Sequence, residues 1–166
     1  MKKQLLSSLF ILVTTLCSFS QEINHNRISY NPTTKKLDYL IGVNSSKEDV
    51  RIKLKNNKFL LLDLSMAGCK GCVKGIPRVV EFSKKYSEKL DVVMLCSFAN
   101  YDIWMNLYEV LHTANLPLHL LNDEKGIVAK VLETEVFPTY LLFDTNGILI
   151  RKWKGRLPKK LDKYIN

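Results

Sequence analysis

The sequence predicts an α/β domain, a central mixed β-sheet flanked by helices, with an N-terminal extension ahead of it. Three observations carry this. Two nearly continuous apolar runs, residues 59–64 and 91–98, have the pattern of strands buried on both faces. Each is followed by apolar positions at helical spacing: Ile76, Val79, Val80, Phe82, Tyr86 and Leu90 after the first, Ile103, Trp104, Leu107, Val110 and Leu111 after the second. Finally, Asn146-Gly147 separates two short strand-like stretches, 138–143 and 147–153, and both residues tolerate the positive φ of a tight hairpin. Strand, helix, strand, helix and hairpin in that order describe a layered α/β fold.

Taken from the N-terminus, the chain of 166 residues opens on Lys2 and Lys3, then an apolar run over 5–17 broken only by Ser and Thr, then Ser18-Phe19-Ser20. This is the pattern of a secretory signal peptide over 1–20, cleaved before Gln21, and it implies an exported, periplasmic or extracytoplasmic protein. The alternative is an uncleaved membrane anchor, for which the run is short against the ~20 residues of a span. Leu16 is larger than the small residue a lipoprotein signal has before its cysteine, which argues against lipidation at Cys17. Residues 21–50 are polar, with apolar patches at 28–30 and 37–41, and read as an extended lead-in or a hairpin. The domain proper is 51–166. Within it, 116–121 suggests a short strand. Ile127, Val128, Val131 and Leu132 outline a further apolar helix face, and a basic helix is expected near 159–165.

The formal charge is +9, and +7 once Lys2 and Lys3 leave with the leader. The excess is densest over 151–163, where Arg151, Lys152, Lys154, Arg156, Lys159, Lys160 and Lys163 face only Asp162. Such a run is either a solvated face or a contact for a membrane surface or an acidic partner. It lacks the interleaved aromatics and motifs of a nucleic-acid binder.

The chemistry concentrates in "LLLDLSMAGCKGCVKGIP", residues 60–77. Without the leader the chain keeps Cys69, Cys72 and Cys96, too few and too odd in number for a disulfide-stapled scaffold. A C-x-x-C at the end of a buried strand places its first cysteine at a helix N-terminus, where partial positive charge and free N–H groups favour thiolate. Lys70 adds a cation. The two-residue spacing lets the sulfurs of Cys69 and Cys72 meet across one turn. Asp63 lies in an apolar strand, where a carboxylate is costly unless paired or protonated, and its useful reading is a proton acceptor with raised pKa. Pro77 falls inside the helix and removes one of its hydrogen bonds. Read from the residues alone, the pair is a redox site, a static disulfide or a metal site.

Asp63, Cys69, Cys72 and Pro77 match in identity and spacing the first strand and active-site helix of the thioredoxin superfamily, and Phe137-Pro138-Thr139 resembles its cis-proline loop. With the leader, "RVVEFSKKYSEKLDVVML" and "LNDEKGIVAKVLETEVFPTYLLFDTNGILIRKWKG", the chain resembles the TlpA/ResA branch of exported thiol-disulfide oxidoreductases over about 58–154. The resemblance implies a thioredoxin-like fold, Cys69 as attacking thiol, Cys72 as resolving thiol, Asp63 as the buried acid near it, and Pro138 as a cis proline. Phe137, Pro138 and Thr139 would offer backbone pairing to a substrate. It implies no cofactor or metal. The expected partners are client protein thiols or disulfides and an upstream electron donor or acceptor, met by a monomer.

Two positions depart from the family pattern. Gly68 replaces the usual Trp before the first cysteine, and Gly75 replaces an acidic residue three positions after the second. They give weight to a redox-silent thioredoxin-fold interaction module as an alternative. A copper-binding domain is the other, although such domains have three residues between their cysteines and a distant histidine. His25, His112 and His119 show no ligand spacing. Cys96, among Val92, Val93, Met94 and Leu95, reads as a packed small hydrophobe.

Overall fold

A computed structural model describes residues 23–54, 57–112 and 115–165. The signal-peptide assignment at 1–20, with Cys17, lies outside the described residues. Nine strands form one sheet: β1 (Ile23–His25), β2 (Ile28–Asn31), β3 (Lys36–Val43), β4 (Asp49–Lys53), β5 (Phe59–Met66), β6 (Leu90–Ser97), β7 (His119–Asn122), β8 (Thr139–Phe143) and β9 (Leu149–Lys154). Three helices accompany them: α1 (Lys70–Lys85), α2 (Tyr101–His112) and α3 (Ile127–Val131). The spatial order is β1-β2-β3-β7-β6-β5-β8-β9, with β4 on β3. β5 lies between β6, to which it runs parallel, and β8, to which it runs antiparallel, so the sheet is mixed.

Both faces of this sheet are covered, which is why β5 and β6 read as unbroken apolar runs rather than alternating ones. Leu60, Leu62 and Leu64 point to one core with Val93, Leu95 and the α3 residues Val128 and Val131. Leu61 points to the other, with Val92, Met94, Val79 and Phe82 of α1 and Trp104 of α2. By alternation, Asp63 and Ser65 share Leu61's face, the one that α1 covers.

The segment read as an extended lead-in is four antiparallel strands, β1 to β4, and Ile28, Leu37 and Leu40 are fully buried in the first core. Their join to the rest of the sheet is the single register pair Val43–Asn122. A second tie is at the far end, where Leu37 N–H donates to Gly147 O (2.9 Å) and Leu149 N–H to Lys35 O (2.9 Å). Gly147 is left-handed (φ 83°), and a side chain there would run into the Leu37 carbonyl.

One sequence expectation holds and one is corrected. The hairpin signalled by Asn146-Gly147 is the antiparallel β8–β9 pair. Only Gly147 is left-handed, and its N–H bonds Asp144 O (3.0 Å), closing a turn followed by a bulge. The Asp144 carboxylate holds this loop by accepting from Asn146 N–H and Ile148 N–H. The basic helix expected near 159–165 is absent: a single turn, Tyr164 N–H to Leu161 O (2.8 Å), stands there. A helix as short as 159–165 does not repay its own nucleation. Leu157, Leu161 and Ile165 bury instead against the α1 side of the sheet and hold the tail without a helix.

α3 is short, and the Asp123 carboxylate fixes its start, accepting from the N–H groups of Ile127 (2.9 Å), Val128 (2.9 Å) and Ala129 (3.2 Å). Among the described residues no helix is long and apolar enough to cross a membrane.

Candidate active site

β5 ends at Met66, and the chain turns through Ala67 and Gly68 into α1. Gly68 sits at φ 73°, a region that favours glycine, and the space beside it is open. The position is therefore a backbone hinge into the helix, with no flat side chain beside the sulfurs. Cys69 is the N-cap of α1: its backbone is extended (φ −78°, ψ 99°), and its Sγ accepts from Cys72 N–H at 3.0 Å. Sulfur thus occupies the place an oxygen side chain usually holds at a helix start, facing the unpaired N–H groups. No acidic residue lies in the first turn to oppose a negative sulfur there.

Cys69 and Cys72 are joined in a disulfide, S–S 2.05 Å. Their exposures differ: Cys72 is 6% exposed, whereas Cys69 is half-buried and reaches the surface. Cys96 is a free thiol, fully buried. Burial, and then the charge of Asp63, push its pKa far up, so it stays a neutral thiol.

Asp63 is 1% exposed, and burial lifts its pKa to about 7, with the Ser65 hydroxyl pulling weakly the other way. That hydroxyl donates to Asp63 Oδ1 at 2.9 Å. The acid is thus half-ionised near neutrality and can both accept and release a proton. Ser65 is a residue that motif reading missed. The available signal was its place two residues after Asp63 on a strand, hence on the same face.

The Phe137–Pro138 peptide bond is cis. Pro138 lies against the turn between the two cysteines: a Cβ on Gly71 would stand 3.3 Å from Pro138 Cδ. Pro138 O accepts from Gly155 N–H (2.7 Å), tying the end of β9 to this loop. Thr139 is fully buried and its Oγ1 donates to Val136 O (2.6 Å), while Phe137 packs on the first core. The loop's side chains are thereby turned inward.

Pro77 lies within α1 with its ring exposed. Tyr140, which the motifs did not single out, pairs with Asp63 across β5 and β8. Burial first, then the Asp63 charge, push its phenol up. On the α2 side of the disulfide is an apolar cavity of about 330 Å³ that Met66, Val73, Phe98, Ile103 and Leu107 line together with the two bonded cysteines. Met66, Val73 and Ile103 are exposed at its rim. Among the described residues, no group of three His, Cys, Asp or Glu side chains gathers in a metal-binding arrangement.

No protein-family model matches the sequence, and neither does any curated protein. Solved structures do. The thioredoxin domain of a thiol-disulfide oxidoreductase from Bacteroides vulgatus is 20% identical, with 80% of this chain and 98% of that one covered, at a TM-score of 0.65. The pneumococcal exposed lipoprotein thioredoxin from Streptococcus pneumoniae is 19% identical over 73% of this chain and 92% of that one, TM-score 0.62. StoA from Bacillus subtilis is 19% identical over 72% and 89%, TM-score 0.58. At these identities the likeness establishes the fold: this chain has the thioredoxin-like fold, and its neighbours include thiol-disulfide oxidoreductases.

Proposed function

We propose that this protein is an exported thiol-disulfide oxidoreductase that exchanges disulfides with protein thiols through Cys69-Lys70-Gly71-Cys72. The observation that carries the proposal is the asymmetry of the pair: a surface-reaching Cys69 whose sulfur sits at a helix N-terminus, joined to a buried Cys72, with Pro138 against the turn between them. In the reduced protein the Cys69 thiolate attacks a client disulfide. A Cys69–client bond forms, and the client's other sulfur leaves as a thiol. Cys72 then loses its proton, with Asp63 as the acceptor, and attacks Cys69 Sγ. The Cys69–Cys72 bond forms, the client sulfur is released reduced, and an upstream donor returns two electrons. The reverse sequence oxidises a dithiol client. Phe137, Pro138 and Thr139 act through their backbone as the edge a client strand lies along. Export rests on the leader pattern at 1–20 and is in keeping with the likeness to an exposed lipoprotein thioredoxin.

The test is insulin reduction with dithiothreitol, on the wild type and on Cys69→Ser, together with the metal content of the reduced protein. Accelerated precipitation that Cys69→Ser abolishes is expected. No acceleration would leave the redox-silent interaction module as the reading, and stoichiometric copper would leave the metal-binding one. N-terminal sequencing of the protein recovered from producing cells should begin at Gln21.

A further inference from the structure

On the side of α1 opposite the apolar cavity lies a second cleft, of about 360 Å³, that begins at Gly71 in the active-site turn. Four cations line it. Lys74 and Arg78 stand one helical turn apart on α1, and Arg156 and Lys159 belong to the segment that follows β9. No acidic side chain lines it. The cleft is a built feature rather than a loose run of surface charge. Gly155, left-handed at φ 78°, swings the tail away from β9 while its N–H holds Pro138 O. Arg78 then fixes the tail to α1 by donating to Lys159 O at 2.9 Å. A phenol adds to this wall. Tyr140 is 1% exposed as a residue, and its hydroxyl reaches the cleft where a side chain on Gly75 would be. A phenol hydroxyl on a wall shared with Lys74, Arg156, Lys159 and Arg78, the last also paired with Glu81 (3.5 Å), is an arrangement suited to an anionic oxygen.

We infer that this cleft binds a carboxylate side chain of the client polypeptide, so that the protein selects clients bearing Asp or Glu close to the cysteine it attacks. The inference rests on the exchange reading above and names the class of client it serves. Position argues for a client rather than a free anion, because the cleft opens beside Gly71 and Pro138, where a polypeptide undergoing exchange at Cys69 must lie. The basic tail, read from sequence as a solvated face or a contact for a membrane surface or an acidic partner, takes the last of these roles through Arg156 and Lys159.

The test uses short peptides carrying one cysteine as a 2-pyridyl mixed disulfide, flanked by either Glu or Gln. Reduced Cys69 attacks the peptide sulfur. The Cys69–peptide bond forms as the peptide–pyridyl bond breaks, and 2-thiopyridone leaves and is read by absorbance. Cys72 then closes the Cys69–Cys72 bond and releases the peptide thiol. At low salt the Glu peptide should react roughly tenfold faster than the Gln peptide, and added salt should shrink the difference. In the double variant Lys74→Gln/Arg156→Gln, the Glu peptide should fall to the Gln rate while the Gln rate holds. Tyr140→Phe should lose part of the preference. Calorimetry of the same peptides with Ser for Cys, on the oxidised protein, reads the cleft without exchange and should show the same order. Equal Glu and Gln rates and affinities would overturn the inference and leave the exchange reading standing. A preference that survives in the double variant would overturn it too, by placing the contact elsewhere. Absence of thiopyridone release with a preserved Glu affinity would sink the exchange reading alone. Binding to phosphatidylglycerol vesicles that the double variant loses, with no peptide preference, would assign the cleft to a lipid surface and overturn the inference.

Discussion

The hydroxyl of Tyr140 fills the space that a side chain on residue 75 would occupy, so Gly75 of α1 and Tyr140 of β8 are a matched pair. In the TlpA/ResA pattern that the sequence resembles, an acidic residue stands where this chain has Gly75. The room an acidic side chain would need there belongs to a phenol reaching in from the strand after Pro138.

This pairing makes Gly75→Ala unusual for a helical glycine. Ordinarily the change gains about 1 kcal/mol from helix propensity. Here the new methyl meets the end of a rigid, buried ring, and overpacking of that kind costs about 1–3 kcal/mol. We expect Gly75→Ala to leave stability unchanged or lower it by up to about 2 kcal/mol in the wild type, and to raise it by up to about 1 kcal/mol in the Tyr140→Phe background. Urea denaturation of the four proteins of the cycle measures the coupling. Coupling below about 0.5 kcal/mol would mean that Tyr140 moves aside freely.

Asp63 sets the pH dependence. Its folded pKa, raised to about 7 chiefly by burial, lies above the 3.8 of a free Asp carboxyl. The folded state therefore favours the protonated acid. No penalty exists below pH 3.8; it grows as pH rises from there to about 7 and is constant above, at an order of 4 kcal/mol as an upper figure. Asp63→Asn keeps an acceptor for Ser65 and removes this cost. It should stabilise the oxidised protein at pH 8, and the gain should vanish as pH falls from about 7 to 3.8. At neutral pH it should also slow the step in which Cys72 is deprotonated. Denaturation curves across that range, with stopped-flow exchange, check both. A destabilised variant at pH 8 would show that the ionised carboxylate is well satisfied where it lies.

The parts of the fold that could be read from sequence are those in which one residue type does one job locally. β5 and β6 declared themselves because both faces are covered, and α1 because Ile76, Val79, Val80 and Phe82 repeat at its period. The site was legible for the same reason, since Asp63, Cys69 and Cys72 lie within ten residues. What sequence left hidden depends on distant partners. Leu37 and Leu40 belong to the core only because β3 meets β7 at Val43 and the 144–148 loop at Lys36. Tyr140 matters because β8 places it opposite Asp63 and beneath Gly75, contacts that span more than sixty positions of chain. The tail at 157–165 has the spacing of a helix, yet its three apolar anchors are satisfied by burial on the sheet, and the backbone need not follow.

The N-terminal strands should therefore unfold with the domain. Leu40 is fully buried and stands between Ile28 of β2 and Ile52 of β4. Leu40→Ala should cost about 2–5 kcal/mol. The loss should appear in one transition, seen equally by far-ultraviolet dichroism and by fluorescence of Trp104 on the opposite face. A separate early transition that leaves Trp104 unmoved would make the strands an appendage to the domain.

The division of labour proposed for the two cysteines rests on burial. A client disulfide can approach only a sulfur that reaches solvent, and Cys69 does so, whereas Cys72, in the first turn of α1, is 6% exposed. The N–H of Cys72 points at Cys69 Sγ (3.0 Å), so the charge that makes a thiolate a good nucleophile is stabilised on Cys69. With Cys72→Ser, attack still occurs but nothing resolves the product, and mixed disulfides with clients should accumulate. With Cys69→Ser, the remaining thiol is shielded, and trapping should be at least tenfold lower, a difference of about 1.4 kcal/mol in the barrier. Cys96, fully buried and held neutral, should contribute to neither. Non-reducing electrophoresis of each variant, mixed with a scrambled disulfide client and quenched with acid, reads the adducts. A Cys69→Ser protein that traps as well as Cys72→Ser would reverse the roles. α1 would then have to open before exchange begins, since Cys72 is covered while its first turn stays closed.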